Sequence, residues 1–460
     1  MKTSYCSTLR WLKRYHWQFF LVVVIVFCLA SQFQFFPVLA IPFTTISASD
    51  PAFVLPSTMQ VTGNRSSALS SFASFDLFDG YNATNTNNTT TLPAWMTAYF
   101  QWQMERMNEI RSANLPWTDQ KLLILRCISE DRCGGTSDRL KSIPLFLALA
   151  AQSKRLLFIR WNRPFPIEEF LLPTTTFNWS VPESLQSLLD DDQDDTNNTA
   201  TTSNTGSTST GTLRHSRVYF DGQNVGKLAA STDDPNMWLV EGNVHLSGSS
   251  LYRKIAVKLQ PSKPQKLDYT EFYHDLFPRV FRPSPPIHRL VLRVLQELQL
   301  QPNRFVVAHY RSKYPGEPYL ESGKNTTILQ AFCRNAIDCA SSLAPGLPVY
   351  VAADTAASLL AAQTYSMVSK HRIVSRLDAS SNSSNNLSMI AAAEDPPHLN
   401  FAQRDTPDAF YSIFVDLWIM AQSKCVAFGA GGFGRFGSLV SFNASCRMPH
   451  SKQGKMQSCV

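Results

Sequence analysis

The chain has 460 residues, 44% of them apolar, and a formal net charge of +7. That length allows two or three domains and does not limit the core. Lys2, Arg10, Lys13 and Arg14 carry four of the positive charges ahead of the first long apolar segment, and the remainder is close to balanced, which excludes nucleic acid as the implied partner.

Trp17 to Ser49 contains no Asp, Glu, Lys or Arg, and its centre, FFLVVVIVFCLA, partitions into hydrocarbon. The pattern predicts a transmembrane signal-anchor over 17–40, a cytosolic tail over 1–16, and a single-pass type II protein whose bulk lies in the secretory lumen. Cleavage after Ala40, which would release a secreted protein, is the alternative; the uncharged span exceeds the usual signal core and favours the anchor. Ten N-x-S/T sequons fit the lumen, of which Asn178, Asn325 and Asn443 lie outside the Asn/Thr-rich tracts. Residues 41–92, rich in Ser, Thr, Asn and Ala, read as a flexible stem.

KLLILRC (Lys121 to Cys127) reads as a buried strand, Gly134-Gly135 as a turn, Leu140 to Gln152 as a helix and Arg155 to Ile159 as a second strand, together a βαβ start. Residues 190–212 form a low-complexity insertion. The Asp192-Gln193-Asp194 within it matches a cation-binding D-x-D pattern, but it has no rigid strand end and reads as a solvated acidic loop. Residues 214–260 offer one strand, Trp238 to Val240. The proline-rich stretch Phe277 to Arg289 then marks a boundary between an N-terminal domain (93–285) and a C-terminal domain (286–460).

A helix is expected from Leu290 to Leu298, and the second region then alternates strictly. Strands are expected at Arg304–Tyr310, Leu347–Asp354, His371–Ser375 and Cys425–Gly429, and helices at Asn325–Ala340, Thr355–Ser366 and Pro407–Ser423. The Gly-rich segment Ala430–Ser438 follows, and a short insertion, Ala379–Ser388, interrupts the series. Strands separated by helices pair in parallel, so the fold class is α/β with two Rossmann-like domains. Seven cysteines follow the membrane segment, and local pairing predicts 127/133, 333/339 and 425/446, with Cys459 left over. The 333/339 pair needs a helix end between its members, because six helical residues separate their Cα atoms by about 9 Å. No Cys/His doublets have zinc spacing, so no metal is expected.

Open parallel sheets bind ligands beyond the carboxyl ends of their strands. Those positions hold His309-Tyr310-Arg311, Asp354, and the Gly-rich turn with Gly431, Gly432 and Arg435. A guanidinium such as Arg311 can neutralise a departing diphosphate through two parallel hydrogen bonds, provided it faces the crevice and is not locked in an ion pair. His309 supports Arg311 or contacts a nucleotide; a satisfied core histidine is the plainer reading. Asp354 is also placed to cap the following helix, and Asp138 to cap the helix after Gly135. Glycine N–H groups at a helix start can receive phosphate, and close packing of the turn is the rival.

AHYR (Ala308 to Arg311), YVAAD (Tyr350 to Asp354), VDLWIMAQSKCVAFGAGGFGRFGS (Val415 to Ser438) and Gly135-Thr136-Ser137-Asp138-Arg139-Leu140, in that family's order over residues 120–445, resemble the GDP-fucose-dependent fucosyltransferase superfamily. The resemblance implies a GT-B-type glycosyltransferase of the Golgi membrane with its head in the lumen. It implies GDP-fucose as donor, a glycan or glycoprotein acceptor, inversion, and no cofactor or metal. It assigns Arg311 to the leaving group and Asp354 to the guanine. It also places Gly135 and Arg139, aimed at the interdomain cleft, on the donor and acceptor site. The chain departs from the family pattern in lacking an acid after Arg311 and in carrying glycines and Arg435 where relatives have small hydroxyl residues. Glu317 and Asp138 are the base candidates by proximity. A catalytically inactive lectin-like or scaffold relative, or a transferase using another nucleotide sugar, are the alternatives.

Overall fold

Residues 92–127, 133–190, 215–219, 235–241, 248–259, 269–312, 326–381, 404–452 and 455–459 are described by the structure, a computed structural model. The expected membrane span, the stem, most of the 190–212 insertion and Glu317 lie outside them. Among the described residues no helix is long and apolar enough to cross a membrane.

The first helix, α1 (Ala94–Ser112), has no counterpart in the sequence reading, although Trp95, Met96, Tyr99, Phe100, Met107 and Ile110 mark a buried face at helical spacing. Gln103 interrupts that face and is fully satisfied. Its amide donates to Leu157 O at 3.1 Å and Asn178 O at 2.9 Å, and accepts from Leu157 N at 2.9 Å. β1 (Leu122–Cys127) follows, buried along its whole length. The single helix expected from Leu140 is instead two, α2 (Thr136–Leu140) and α3 (Ile143–Ser153). Pro144 explains the break, since a proline fits the first turn of α3 but not a helix interior.

β2 (Leu156–Trp161), β3 (Leu171–Pro173), α4 (Glu183–Asp190), β4 (His215–Tyr219), β5 (Met237–Glu241) and α5 (Gly248–Leu259) complete the first region. Its sheet has the order β2-β1-β5-β4, parallel throughout. Leu122 and Ile124 face one apolar layer and Leu123 and Leu125 the other, as a parallel sheet requires.

The proline-rich stretch is ordered secondary structure and not a loose linker. It contains the end of α6 (Tyr273–Val280), then β6 (Phe281–Pro283), which pairs antiparallel with β3, then the start of α7 (Pro285–Glu297). α7 begins five residues before the expected Leu290 because prolines suit a helix's first turn.

β7 (Val306–Tyr310), α8 (Thr326–Leu343), β8 (Val349–Ala353), α9 (Ala356–Ser366), β9 (Ile373–Ser375), α10 (Arg376–Ser381), α11 (Tyr411–Gln422), β10 (Cys425–Phe428), α12 (Gly432–Val440), β11 (Arg447–Pro449), β12 (Ser451–Lys452) and β13 (Lys455–Met456) follow. The second sheet runs β11-β10-β7-β8-β9, again all parallel. One apolar core joins the helical layer of the first sheet to the inner face of the second, with Tyr273 and Phe277 of α6 packed against Phe436 and Trp418.

Disulfides join Cys127 to Cys133 and Cys425 to Cys446, as local pairing predicts. The expected 333/339 bridge does not form. α8 is continuous through both residues, so they stand about 9 Å apart. Cys339 pairs with Cys459, and Cys333 keeps a buried thiol that burial pushes up to about 12.

Candidate active site

The chain leaves β7 toward β8 and β9, then returns to place β10 on the other side of β7. Strand order therefore reverses between β7 and β10, and at such a switch the two outgoing loops splay apart and open a crevice. Ala308 and His309 pair in register with Ala427 and Phe428, so Arg311 and Gly429 to Gly431 emerge side by side.

Gly431 has a φ of +89° and serves as the N-cap of α12 without a side-chain cap. A Cβ there would lie 2.5 Å from Nη1 of Arg311, so the guanidinium lies directly against the turn. A Cβ on Gly432 would meet Ser137 Oγ at 2.6 Å and Asp138 Oδ1 at 3.8 Å, which brings α2 from the first region to the start of α12. On Gly434 it would collide with Nδ1 of His309. Three neighbouring side chains thus approach these glycines closely, as tight packing of the turn requires. Two of the positive-φ glycines, Gly431 and Gly346, provide a test. Gly346, at φ +84° with nothing within 4 Å of an added Cβ, would suffer backbone strain alone on substitution by alanine, about 1 kcal/mol. Gly431→Ala should lose more stability than Gly346→Ala, because its Cβ must also displace Arg311; equal losses in urea unfolding would discount the contact.

Arg311 is largely buried, and its Nε stands 3.8 Å from Asp354 Oδ2, within ion-pair range but beyond hydrogen-bonding distance. The other carboxylate oxygen, Oδ1, accepts from the Ser312 N–H at 2.7 Å and the Ser312 hydroxyl at 2.9 Å. Asp354 thus orients the loop that carries Arg311, and both its oxygens face protein groups. It does not cap α9. That cap is Thr355, whose hydroxyl accepts from Ser358 N.

His309 is buried, and its Nδ1 finds no hydrogen-bond partner among the described residues. Its ring packs against Phe433, and its carbonyl accepts from Nε2 of His450 at 2.8 Å. No sequence signal marked His450, which reaches the site only because the chain's last strands fold back past Gly429. Burial, the neighbouring Arg311 charge and His450 push His309 down to about 3, and burial pushes His450 down to about 4. Both rings are neutral in the fold, whereas an unfolded histidine takes a proton near 6.5. Their stabilisation is thus complete above about pH 6.5 and is lost as pH falls toward 4 and then 3, at up to about 1.4 kcal/mol per pH unit each. The urea midpoint should drop between pH 7 and pH 5, and His450→Gln should flatten that drop; a midpoint unchanged over this range would contradict it.

In the first region, Gly134 takes a φ of +67° directly after the Cys127–Cys133 disulfide loop, and Gly135 precedes α2. The Asp138 carboxylate accepts from Gly135 N at 3.3 Å and pairs with Lys141, the helix-start role expected of it. Arg139 is buried, and with Cys127, Cys133 and Trp161 it lines a small pocket at the carboxyl ends of β1 and β2. Its Nε donates to Gly134 O at 3.0 Å, its Nη1 to Arg163 O at 2.5 Å, and the guanidinium lies 5.0 Å above Trp161. Burial lowers it to about 9, with Asp138 opposing. Two backbone carbonyls and a ring hold it because a buried guanidinium needs every donor satisfied. Arg435 is exposed on α12. The carboxyl ends of β7, β8 and β10 and the start of α2 thus bring together Arg311, His309, Asp354, Gly431, Gly432 and Asp138.

No protein-family model and no curated protein matches the chain. Among solved structures it is similar to an arginine-to-lysine mutant of Arabidopsis thaliana FUT1 in complex with GDP, at 11% identity and a TM-score of 0.49 over 79% of this chain and 80% of that one. It is also similar to the fucosyltransferase NodZ from Bradyrhizobium, at 12% identity and a TM-score of 0.39 over 70% of this chain and 94% of that one.

Proposed function

We propose that the chain is a glycosyltransferase that moves fucose from GDP-fucose to a glycan or protein hydroxyl with inversion and without a metal. The observation that carries this reading is the Arg311 guanidinium set against the Gly431 turn where strand order reverses. As the acceptor oxygen bonds to the sugar's anomeric carbon, the bond from that carbon to the diphosphate breaks and the leaving oxygen gains negative charge. Arg311 and the uncapped N–H groups at the start of α12 stabilise that charge. His309, held neutral, leaves the cationic character of the site to Arg311. Asp354 positions the loop, and Arg139 holds the Gly134 turn. A base, Glu317 or Asp138, takes the acceptor proton.

The catalytic head is placed in the Golgi lumen on a single N-terminal type II anchor, with residues 93–285 as acceptor domain and 286–460 as donor domain. The Arg311–Asp354 pair favours a second reading, an inactive relative that keeps the fold. Calorimetry of the lumenal head against GDP and UDP, followed by a donor screen for transfer, tests both. Retention of GDP but not UDP together with transfer supports the first reading. GDP bound without hydrolysis or transfer, or glycan bound with no nucleotide, supports the second, and binding of neither removes both. Preference for UDP would assign another donor.

A further inference from the structure

Two sequons lie among the described residues, and they differ in exposure. Asn178 is half-buried, with its carbonyl oxygen Oδ1 accepting from Ser180 N at 3.1 Å. Between them Trp179 is fully buried and donates Nε1 to Val280 O at 2.8 Å, while the Ser180 hydroxyl faces Glu168 at 3.5 Å. The Asn178 backbone carbonyl is itself held by Gln103. Asn178 is therefore the less accessible of the two in the fold.

Asn443-Ala444-Ser445 lies in the loop between α12 and β11, with Asn443 and Ser445 both exposed. Ser445 donates its hydroxyl to Asn443 Oδ1 at 2.6 Å and its N–H at 3.2 Å. The amide nitrogen makes no hydrogen bond among the described residues, so the serine hydroxyl polarises the amide while its nitrogen points to solvent. The next residue, Cys446, is tied to Cys425, and β11 ends the second sheet. An exposed sheet edge is a template for pairing with another chain unless something covers it.

We propose that Asn443 is an N-glycosylation site and that its glycan covers the outer edge of β11. The proposal rests on the lumenal placement above. In the reaction, the Asn443 amide nitrogen bonds to the anomeric carbon of a lipid-diphosphate-linked oligosaccharide. The bond from that carbon to the diphosphate breaks, and the amide loses one proton to the transferring enzyme.

The test is peptide mapping of the full chain made in a eukaryotic secretory pathway, reduced, with enzymatic glycan release that converts each occupied asparagine to aspartate. Conversion at Asn443, with Asn178 intact, is the expected result. Other sequons converted while Asn443 stays intact would overturn the site and leave the lumenal placement standing; no conversion anywhere would overturn the placement and the site together. For the edge, Asn443→Gln and Ser445→Ala should each raise self-association by light scattering while GDP affinity and circular dichroism stay unchanged. Equal monodispersity of glycosylated and unglycosylated chains would overturn the covering role.

Discussion

Arg311→Ala should lower transfer at least 100-fold, equivalent to about 2.7 kcal/mol of transition-state stabilisation, while the melting temperature falls by no more than a few degrees. In the proposed reaction the guanidinium lies where charge develops; it stands beside an uncapped helix start, with its Asp354 partner at 3.8 Å. Arg311→Lys keeps the charge but loses the two-pronged geometry, so its activity should fall between the two. If Arg311 were chiefly a structural partner of Asp354, the pattern would invert. Arg311→Ala would then lose stability and leave donor binding intact, and a double-mutant cycle with Asp354→Asn would show coupling in stability but none in GDP affinity. Steady-state kinetics and thermal melts on the same four proteins decide between these outcomes.

The second sheet is legible from sequence because its strands are short apolar runs bounded by turn signals and separated by helices of clear period, as in VVAHY and VYVAA. That alternation also locates the crevice, since parallel topology puts ligands at the carboxyl ends of strands. Local chemistry beyond that is less visible. Gln103 breaks the apolar face of α1, and only the structure shows it bonded to β2. The 333/339 pairing fails because proximity in sequence says nothing about a helix that runs through both cysteines. Arg139 is expected toward the cleft, and only the structure shows its guanidinium held by the Gly134 and Arg163 carbonyls. His450 reaches His309 across 141 residues of sequence, a separation at which no local pattern operates.

Asp416, in the segment that opens VDLWIMAQ, supports the site from below. Asp416, buried on α11, accepts from Arg376 Nη1 at 2.5 Å and from the Tyr350 hydroxyl at 2.7 Å. Arg376 also donates Nη2 to the Ala353 carbonyl at 3.0 Å, at the end of β8 and immediately before Asp354. Burial raises the Asp416 carboxyl, and Arg376 and Tyr350 oppose that rise. Asp416→Ala would leave Arg376, itself only 4% exposed, as an uncompensated buried cation, so the loss should be about 3–5 kcal/mol in urea unfolding. Asp416→Asn keeps a hydrogen-bonding group but not the charge and should lose less. Replacing both members, Arg376→Met with Asp416→Leu, removes the buried charges together and should recover most of the stability. That recovery should not extend to activity, because the Ala353 carbonyl would lose its donor and the strand end that aims Asp354 at Arg311 would loosen. A double variant as active as the parent would show that β8 holds Asp354 in place without the clamp.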